Sequence, residues 1–130
     1  MFIDTSAIVA ILSQEEDAAD LSARIEAAPI RLTSSLVLLE AAMRLSTKLS
    51  IDPMLVDAQL RLFLSEAKIS LAPMDERTAS LAIKAFADYG KGRGHPAQLN
   101  LADCLSYACA KSQGVGLLYK GMDFSHTDLA

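Results

Sequence analysis

Four acidic residues interrupt apolar segments of the 130-residue chain. Asp4 is the only charged residue among the first fourteen, and Glu40 is the only polar residue in the segment 36–43. Asp103 is the only charged residue between positions 99 and 110, and Asp123 lies shortly beyond the apolar segment 117–119. Burying an unpaired carboxylate costs several kcal/mol. Each of these acids must therefore be paired, neutralised or bound to a cation.

A divalent metal ion is the partner that this set of side chains suits best. If the fold brings the four acids together, their mutual repulsion raises their pKa values unless a cation offsets it. All four are oxygen donors, and the chain has only two histidines. Hard ions such as Mg²⁺ or Mn²⁺ fit oxygen donors better than zinc does.

Each acid also has an ordinary structural explanation, and the sequence leaves these alternatives open. Glu40 has Arg44 one helical turn away as a surface ion-pair partner. Asp103 suits the first turn of a helix through the helix dipole. Asp4 suits a helix N-cap, and Asp123 suits a turn after a glycine.

Short apolar strands alternating with helices predict an α/β fold, in which a parallel sheet is covered on both faces. Carboxyl ends of parallel strands share one edge of a sheet, and Asp4 and Asp123 both follow predicted strands. In the helix predicted over 75–89, the apolar stripe is Ala79, Ala82, Ile83 and Phe86. The predicted strands are 1–3, 30–33, 69–72 and 117–119. The predicted helices are 6–12, one opened by a capping box at 13–16, 34–49, 53–67, 75–89 and one from Asn100 to 113.

Composition narrows the class of protein further. The chain is 52% hydrophobic and 22% charged, which excludes a disordered chain or a coiled-coil rod. Its net charge of −4 argues against nucleic-acid binding by bulk positive charge. No segment is long and apolar enough to span a bilayer, and no signal peptide opens the chain. Cys104 and Cys109 fit neither a disulfide scaffold nor a zinc motif. We expect one domain over residues 1–130, in the cytoplasm.

Four blocks of sequence, in order and together spanning almost the whole chain, resemble PIN-domain ribonucleases. Within that family the resemblance is to the VapC-like toxins of type II toxin–antitoxin pairs. The blocks are FIDTSA at 2–7, SLVLLEA at 35–41, NLADCLSYA at 100–108 and LLYKGMDF at 117–124.

The resemblance implies a three-layer α/β/α fold with a short-stranded parallel sheet of about four to five strands. It implies an endoribonuclease toxin that needs Mg²⁺ or Mn²⁺ and is held inactive by a cognate antitoxin, as a homodimer or a toxin–antitoxin hetero-oligomer. Thr5 or Ser6, together with Asn100, would support the site. The implied catalytic and metal-binding residues are Asp4, Glu40, Asp103 and Asp123.

The sequence departs from the family pattern at one position. Family members often carry a polar residue directly before the last acid, where this chain has Met122. Asp128 is a weaker substitute for Asp123, because it lies close to the chain end.

Basic residues outside the blocks are candidates for RNA contacts. The glycine-rich loop at 90–95 is not a Walker A motif, but Lys91 and Arg93 are placed to hold an RNA backbone there. Lys120, close to Asp123, is a third candidate. For all three, an exposed surface position is the ordinary alternative.

Two other functions fit part of the pattern. A catalytically silent PIN domain would act as a binding module, although all four acids are present. A phosphoacceptor signalling domain is also a small α/β domain with acids at strand ends, but here Asp4 stands alone after the first strand.

The helix over 54–67 is apolar on more than one side, which favours core packing, with an antitoxin groove or a homodimer face as the alternative.

Overall fold

The computed structural model describes residues 1–130, which form a four-stranded parallel sheet and six helices. The strand order is β3-β2-β1-β4, with Phe2 in register with Leu32 on one side and Leu117 on the other. The sheet thus has four strands, at the lower end of the expected range. The strands are β1 (Phe2–Ile3), β2 (Leu32–Thr33), β3 (Ser70–Leu71) and β4 (Leu117–Leu118).

The helices follow the predicted ranges closely because most of them carry a side-chain cap. Ser34, Asp52, Asp75 and Asn100 each accept a hydrogen bond from a backbone N–H in the first turn of the helix that follows. Gly114, with φ +65°, ends the last helix in the left-handed conformation. The helices are α1 (Thr5–Leu12), α2 (Ala18–Ala27), α3 (Ser35–Leu49), α4 (Pro53–Ala67), α5 (Glu76–Tyr89) and α6 (Leu101–Gln113).

The capping box predicted at 13–16 is wrong. Ser13 ends α1 rather than opening α2, and its hydroxyl donates to the carbonyl oxygen of Val9. Helix α2 begins later, at Ala18, and Asp17 makes no side-chain cap. Glu16, the apparent box partner three residues after Ser13, is exposed. Glu15 beside it is held by lysines from distant parts of the chain.

Helices cover both faces of the sheet. Phe2 and Ile3 are consecutive residues of β1, so their side chains point to opposite faces, yet both are 0% exposed. Leu118 of β4 is also fully buried. Helix α6 packs against β1, β4 and α3, whereas α1 packs against α2 and α3. This is the three-layer α/β/α fold that the sequence predicted.

Helix α5 packs chiefly against α6, and its apolar stripe faces outward. Ile83 is 69% exposed and Phe86 is 46% exposed, whereas Thr78 and Ala85 are buried. The small residues at these two positions are seven apart, two turns along one face, which lets the helices approach closely. The exposed stripe and Leu101 of α6 line an apolar groove of about 570 Å³.

Helix α4 divides its apolar residues between the core and the surface. Val56, Leu60 and Leu64, spaced four apart, are buried, whereas Met54 and Leu62 are exposed. The core interpretation therefore holds for one face only. None of the six helices combines the length and the hydropathy that a membrane crossing requires.

Candidate active site

Asp4 lies between β1 and α1, where it is buried and caps the helix. Its Oδ2 accepts hydrogen bonds from the backbone N–H of Ser6 at 3.0 Å and from Ser6 Oγ at 2.7 Å. Ser6 Oγ in turn accepts from the backbone N–H of Lys120 at 3.0 Å. The Ser6 hydroxyl therefore ties the first acid to the segment that follows β4. The capping role is real, and it fixes Asp4 at the carboxyl edge of the sheet.

Asp103 is fixed by a reciprocal capping box at the start of α6. The backbone N–H of Asn100 donates to Asp103 Oδ2 at 3.1 Å, and the N–H of Asp103 donates to Asn100 Oδ1 at 2.8 Å. Only 8% of Asp103 is exposed. Asn100, which was predicted to support the site, therefore holds Asp103 through these two hydrogen bonds.

Burial raises the pKa of Asp103 to about 6, well above the ordinary value of 3.8. The hydrogen bond from Asn100 opposes this increase, and the negative charges of Asp123, Asp4 and Glu40 add to it. Each of the three other predicted acids is therefore close enough to act electrostatically on Asp103. The structure therefore places three acids that are far apart in sequence within electrostatic range of Asp103.

Glu40 and Asp123 make no ion pair with any basic side chain. Glu40 is half-buried in α3, and the surface pair with Arg44 that the spacing allowed is not formed. Asp123 is exposed in the segment after β4, while Phe124 beside it is buried against Tyr119. The ordinary explanation of Glu40 as half of an ion pair is therefore excluded.

The donor set fits a hard divalent cation by its chemistry, because all four acids offer oxygen and no basic side chain neutralises the pair Glu40 and Asp123. No three His, Cys, Asp or Glu side chains are already gathered in a metal-binding arrangement. A second feature points to a polar ligand at this edge. Thr5 Oγ1, directly after Asp4, is buried without a hydrogen-bond partner.

Replacing Thr5 with valine is expected to leave the free energy of unfolding unchanged or to raise it by about 1 kcal/mol. The substitution keeps the shape of the side chain and removes a buried hydroxyl that has no partner. If the hydroxyl serves a ligand at the acidic cluster, RNA cleavage falls although stability does not. Urea unfolding and a cleavage assay on the same preparation test both parts. A loss of stability with unchanged cleavage would show that Thr5 has only a structural role.

The predicted RNA contacts lie in three different environments. Lys120 Nζ is bound to Glu15 at 2.7 Å and to Asp17 at 3.1 Å. Arg93 lies over the ring of Phe86, with its guanidinium carbon 5.6 Å from the ring centroid. Lys91 is exposed at the rim of the apolar groove between α5 and α6. Their contact with RNA remains a prediction.

Asp128 belongs to a separate network at the chain end. Its carboxylate accepts a hydrogen bond of 2.6 Å from Tyr107 Oη and pairs with Lys111. Burial, followed by this bond to Asp128, raises the pKa of Tyr107. Asp128 therefore anchors the terminal segment, whereas Asp123 and not Asp128 contributes to the raised pKa of Asp103.

Sequence reasoning missed the acids that bind Lys120. Glu15 and Asp17 lie more than a hundred residues before it, and no periodicity connects such distant positions. Glu15 also contacts Lys48 at 3.4 Å, so that it joins two lysines from different elements. The hydrogen bond from Lys120 holds the pKa of Glu15 below its usual value.

Comparison with known proteins identifies the family of this chain. Residues 1–129 match the PIN domain family. Ribonuclease VapC28 of Mycobacterium tuberculosis is 45% identical over 127 residues, which cover 98% of this chain and 93% of that protein. Ribonuclease VapC30 of the same organism is 45% identical over 130 residues, covering 100% of this chain and 96% of the relative.

Two solved structures share the fold at low sequence identity. A toxin–antitoxin complex from Klebsiella pneumoniae matches with a TM-score of 0.71 and 17% identity, covering 98% of this chain and 92% of the other. Mycobacterium tuberculosis VapC20, described as a toxin that cleaves the sarcin–ricin loop, matches with a TM-score of 0.71, 18% identity and coverage of 95% and 92%. With nearly full-length matches by sequence and by fold, the chain belongs to the PIN-domain family, in its VapC branch.

Proposed function

We propose that this chain is a metal-dependent endoribonuclease toxin of a type II toxin–antitoxin pair, acting as a single PIN domain over residues 1–130. The observation that carries the proposal is the electrostatic coupling of Asp4, Glu40 and Asp123 to the buried carboxyl of Asp103. Four negative charges at one sheet edge repel an RNA phosphate unless a cation lies between them. The ribonuclease names of the relatives support the same reaction.

The residues of the chain divide into those that bear charge and those that position it. Asp4, Glu40, Asp103 and Asp123 would hold one or two Mg²⁺ or Mn²⁺ ions through their carboxylate oxygens. When bound, such an ion offsets the charge on the phosphoryl oxygens and makes water a better nucleophile at neutral pH. Ser6 fixes the orientation of Asp4, and Asn100 fixes that of Asp103. Hydrolysis then breaks one phosphodiester bond as water adds to phosphorus.

A protein partner is also part of the proposal. The complex from Klebsiella pneumoniae supports a cognate antitoxin as the inhibitor of this chain, with a homodimer or a toxin–antitoxin hetero-oligomer as the resting form. Exposed apolar side chains on α3, α4 and α5 offer surfaces for such contacts; they include Leu39, Met43, Met54, Leu62 and Ile83. We place the activity in the cytoplasm, which agrees with two buried, unpaired cysteines.

The direct test is cleavage of a mixed RNA pool by the purified protein in Mn²⁺, in Mg²⁺ and in EDTA. We expect fragments with either metal and none in EDTA. Fragments in EDTA would contradict the metal requirement. A protein that binds RNA but does not cut it under any condition would instead be a silent binding module. Incorporation of phosphate from a small phosphodonor would favour a signalling domain.

A further inference from the structure

A second surface lies beside the acidic cluster, between α1 and α3. It is a groove of about 480 Å³ whose wall from α3 begins one turn beyond Glu40. Four of its six lining residues are polar or charged, whereas the groove between α5 and α6 is lined mainly by apolar residues. The residues that line it are Val9, Glu15, Met43, Arg44, Thr47 and Lys48.

Arg44 is the basic residue of this groove that has no partner in the protein. It is exposed and makes neither an ion pair nor a side-chain hydrogen bond. By contrast, Lys48 Nζ lies 3.4 Å from Glu15 and donates to Ser13 Oγ at 3.1 Å. Lys120 binds the same glutamate and also pairs with Asp17. Arg44 does not pair with Glu40, which lies four residues earlier in α3. Its guanidinium is therefore available to bind an anion from outside the protein.

We infer that the groove between α1 and α3 binds the phosphate backbone of the RNA strand next to the acidic cluster, with Arg44 as the phosphate contact. The inference rests on the proposed function and adds a binding residue to it. The planar guanidinium presents two parallel N–H donors to phosphate oxygens, a geometry that lysine lacks. Phosphate contacts of this kind set the register of a nucleic acid without reading its sequence.

The position of Arg44 relative to Glu40 favours RNA over an acidic peptide. Residues i and i+4 of a helix have Cβ atoms about 5–6 Å apart. A strand whose reacting phosphate lies at the cluster therefore reaches Arg44 within about a nucleotide or two, without leaving the surface of α3. Glu40 repels a phosphate and a peptide carboxylate alike, but the proposed cation holds the reacting phosphate of an RNA at the cluster, whereas a peptide carboxylate has no comparable reason to lie there.

The experiment compares Arg44→Gln with Arg77→Gln, because Arg77 of α5 is likewise exposed and unpaired but lies outside the groove. The probe is a fluorescent single-stranded RNA of mixed sequence, in EDTA so that binding is measured without cleavage. The repulsion from the metal-free cluster then lowers the affinity of all variants alike, and the comparison between them is kept. We expect Arg44→Gln to weaken binding several-fold near 0.1 M salt. Removing one phosphate contact should also reduce the slope of log K against log salt by about 0.7. Arg77→Gln should change neither quantity, and Arg44→Lys should restore the slope but only part of the affinity.

Three outcomes decide the inference. If wild type and Arg44→Gln bind RNA alike with the same salt slope, the groove is not a phosphate site, and the nuclease proposal stands. If Arg44→Gln instead weakens only the binding of a cognate antitoxin, the surface serves the protein partner and the inference is wrong. If the wild type neither binds nor cleaves RNA, the proposed function itself fails. Thermal unfolding of each variant shows whether the fold is retained.

Discussion

Replacing Asp4 with asparagine is expected to reduce RNA cleavage by at least about 100-fold, since even the loss of a residue that only supports a metal ligand costs about 10–100-fold. The substitution removes one negative charge and one strong oxygen donor from the cluster. It keeps an acceptor oxygen for the bonds from Ser6, so that α1 remains capped. Initial rates on a single RNA substrate in Mn²⁺, with circular dichroism of the same samples, measure both effects.

Asp52 offers a matched control for this substitution. It caps α4 as Asp4 caps α1, accepting the backbone N–H two residues on, from Met54, at 2.8 Å. It is exposed and does not contribute to the raised pKa of Asp103. Asp52→Asn should therefore cleave RNA at the wild-type rate. Equal activity of Asp4→Asn and wild type would remove Asp4 from the catalytic residues and would reduce it to a helix cap.

Local rules explain why so much of the fold was predictable from the sequence. Asp52 before Pro53, Asn100 three residues before Asp103, and Gly114 are short-range signals, and each marks a helix end in the structure. The acids of the candidate site could be identified from the sequence for a related reason. A charge inside an apolar segment is conspicuous, and the parallel order of the strands brings the ends of such segments to one edge.

The features that escaped prediction depend on contacts between distant parts of the chain. The Ser13 capping box, with Glu16 three residues on, met every local criterion, yet Ser13 ends α1. Glu15 beside it is held by Lys48 and Lys120. The stripe containing Ile83 has the spacing of a buried face, but α5 turns its small residues toward α6 instead. Hydrophobic periodicity identifies a face and does not say which neighbour it meets.

Asp4 and Asp103 have two roles, helix capping and negative charge, and different substitutions can test these roles separately. Asp4 and Asp103 both accept backbone N–H groups at the start of a helix, which asparagine can also do. Their negative charges contribute nothing favourable to one another and are needed only for what binds at the cluster. Amide variants therefore test charge, whereas alanine variants would test charge and capping together.

Replacing Asp103 with asparagine is expected to raise the free energy of unfolding by roughly 1–3 kcal/mol at pH 7.5 in EDTA, while abolishing RNA cleavage. Burial and the three neighbouring acids raise the pKa of Asp103 to about 6 in the folded protein, against about 3.8 in the unfolded chain. Between these values the folded state binds a proton more tightly than the unfolded state does. The stability of the wild type therefore falls as pH rises from about 4 to about 6, and it stays low above that range.

The neutral asparagine keeps the bond from the backbone of Asn100 and avoids this cost, so the gain should shrink as pH falls toward 4. Urea unfolding of both proteins across this range measures it. Asp75→Asn is the control of opposite sign, because hydrogen bonds from Thr78 hold the pKa of Asp75 below its usual value. That substitution should lower stability at pH 7.5, and its effect should fade as pH falls through the folded pKa. A wild type as stable as Asp103→Asn at every pH would mean that neither burial nor the neighbouring acids disfavour the ionised carboxylate of Asp103.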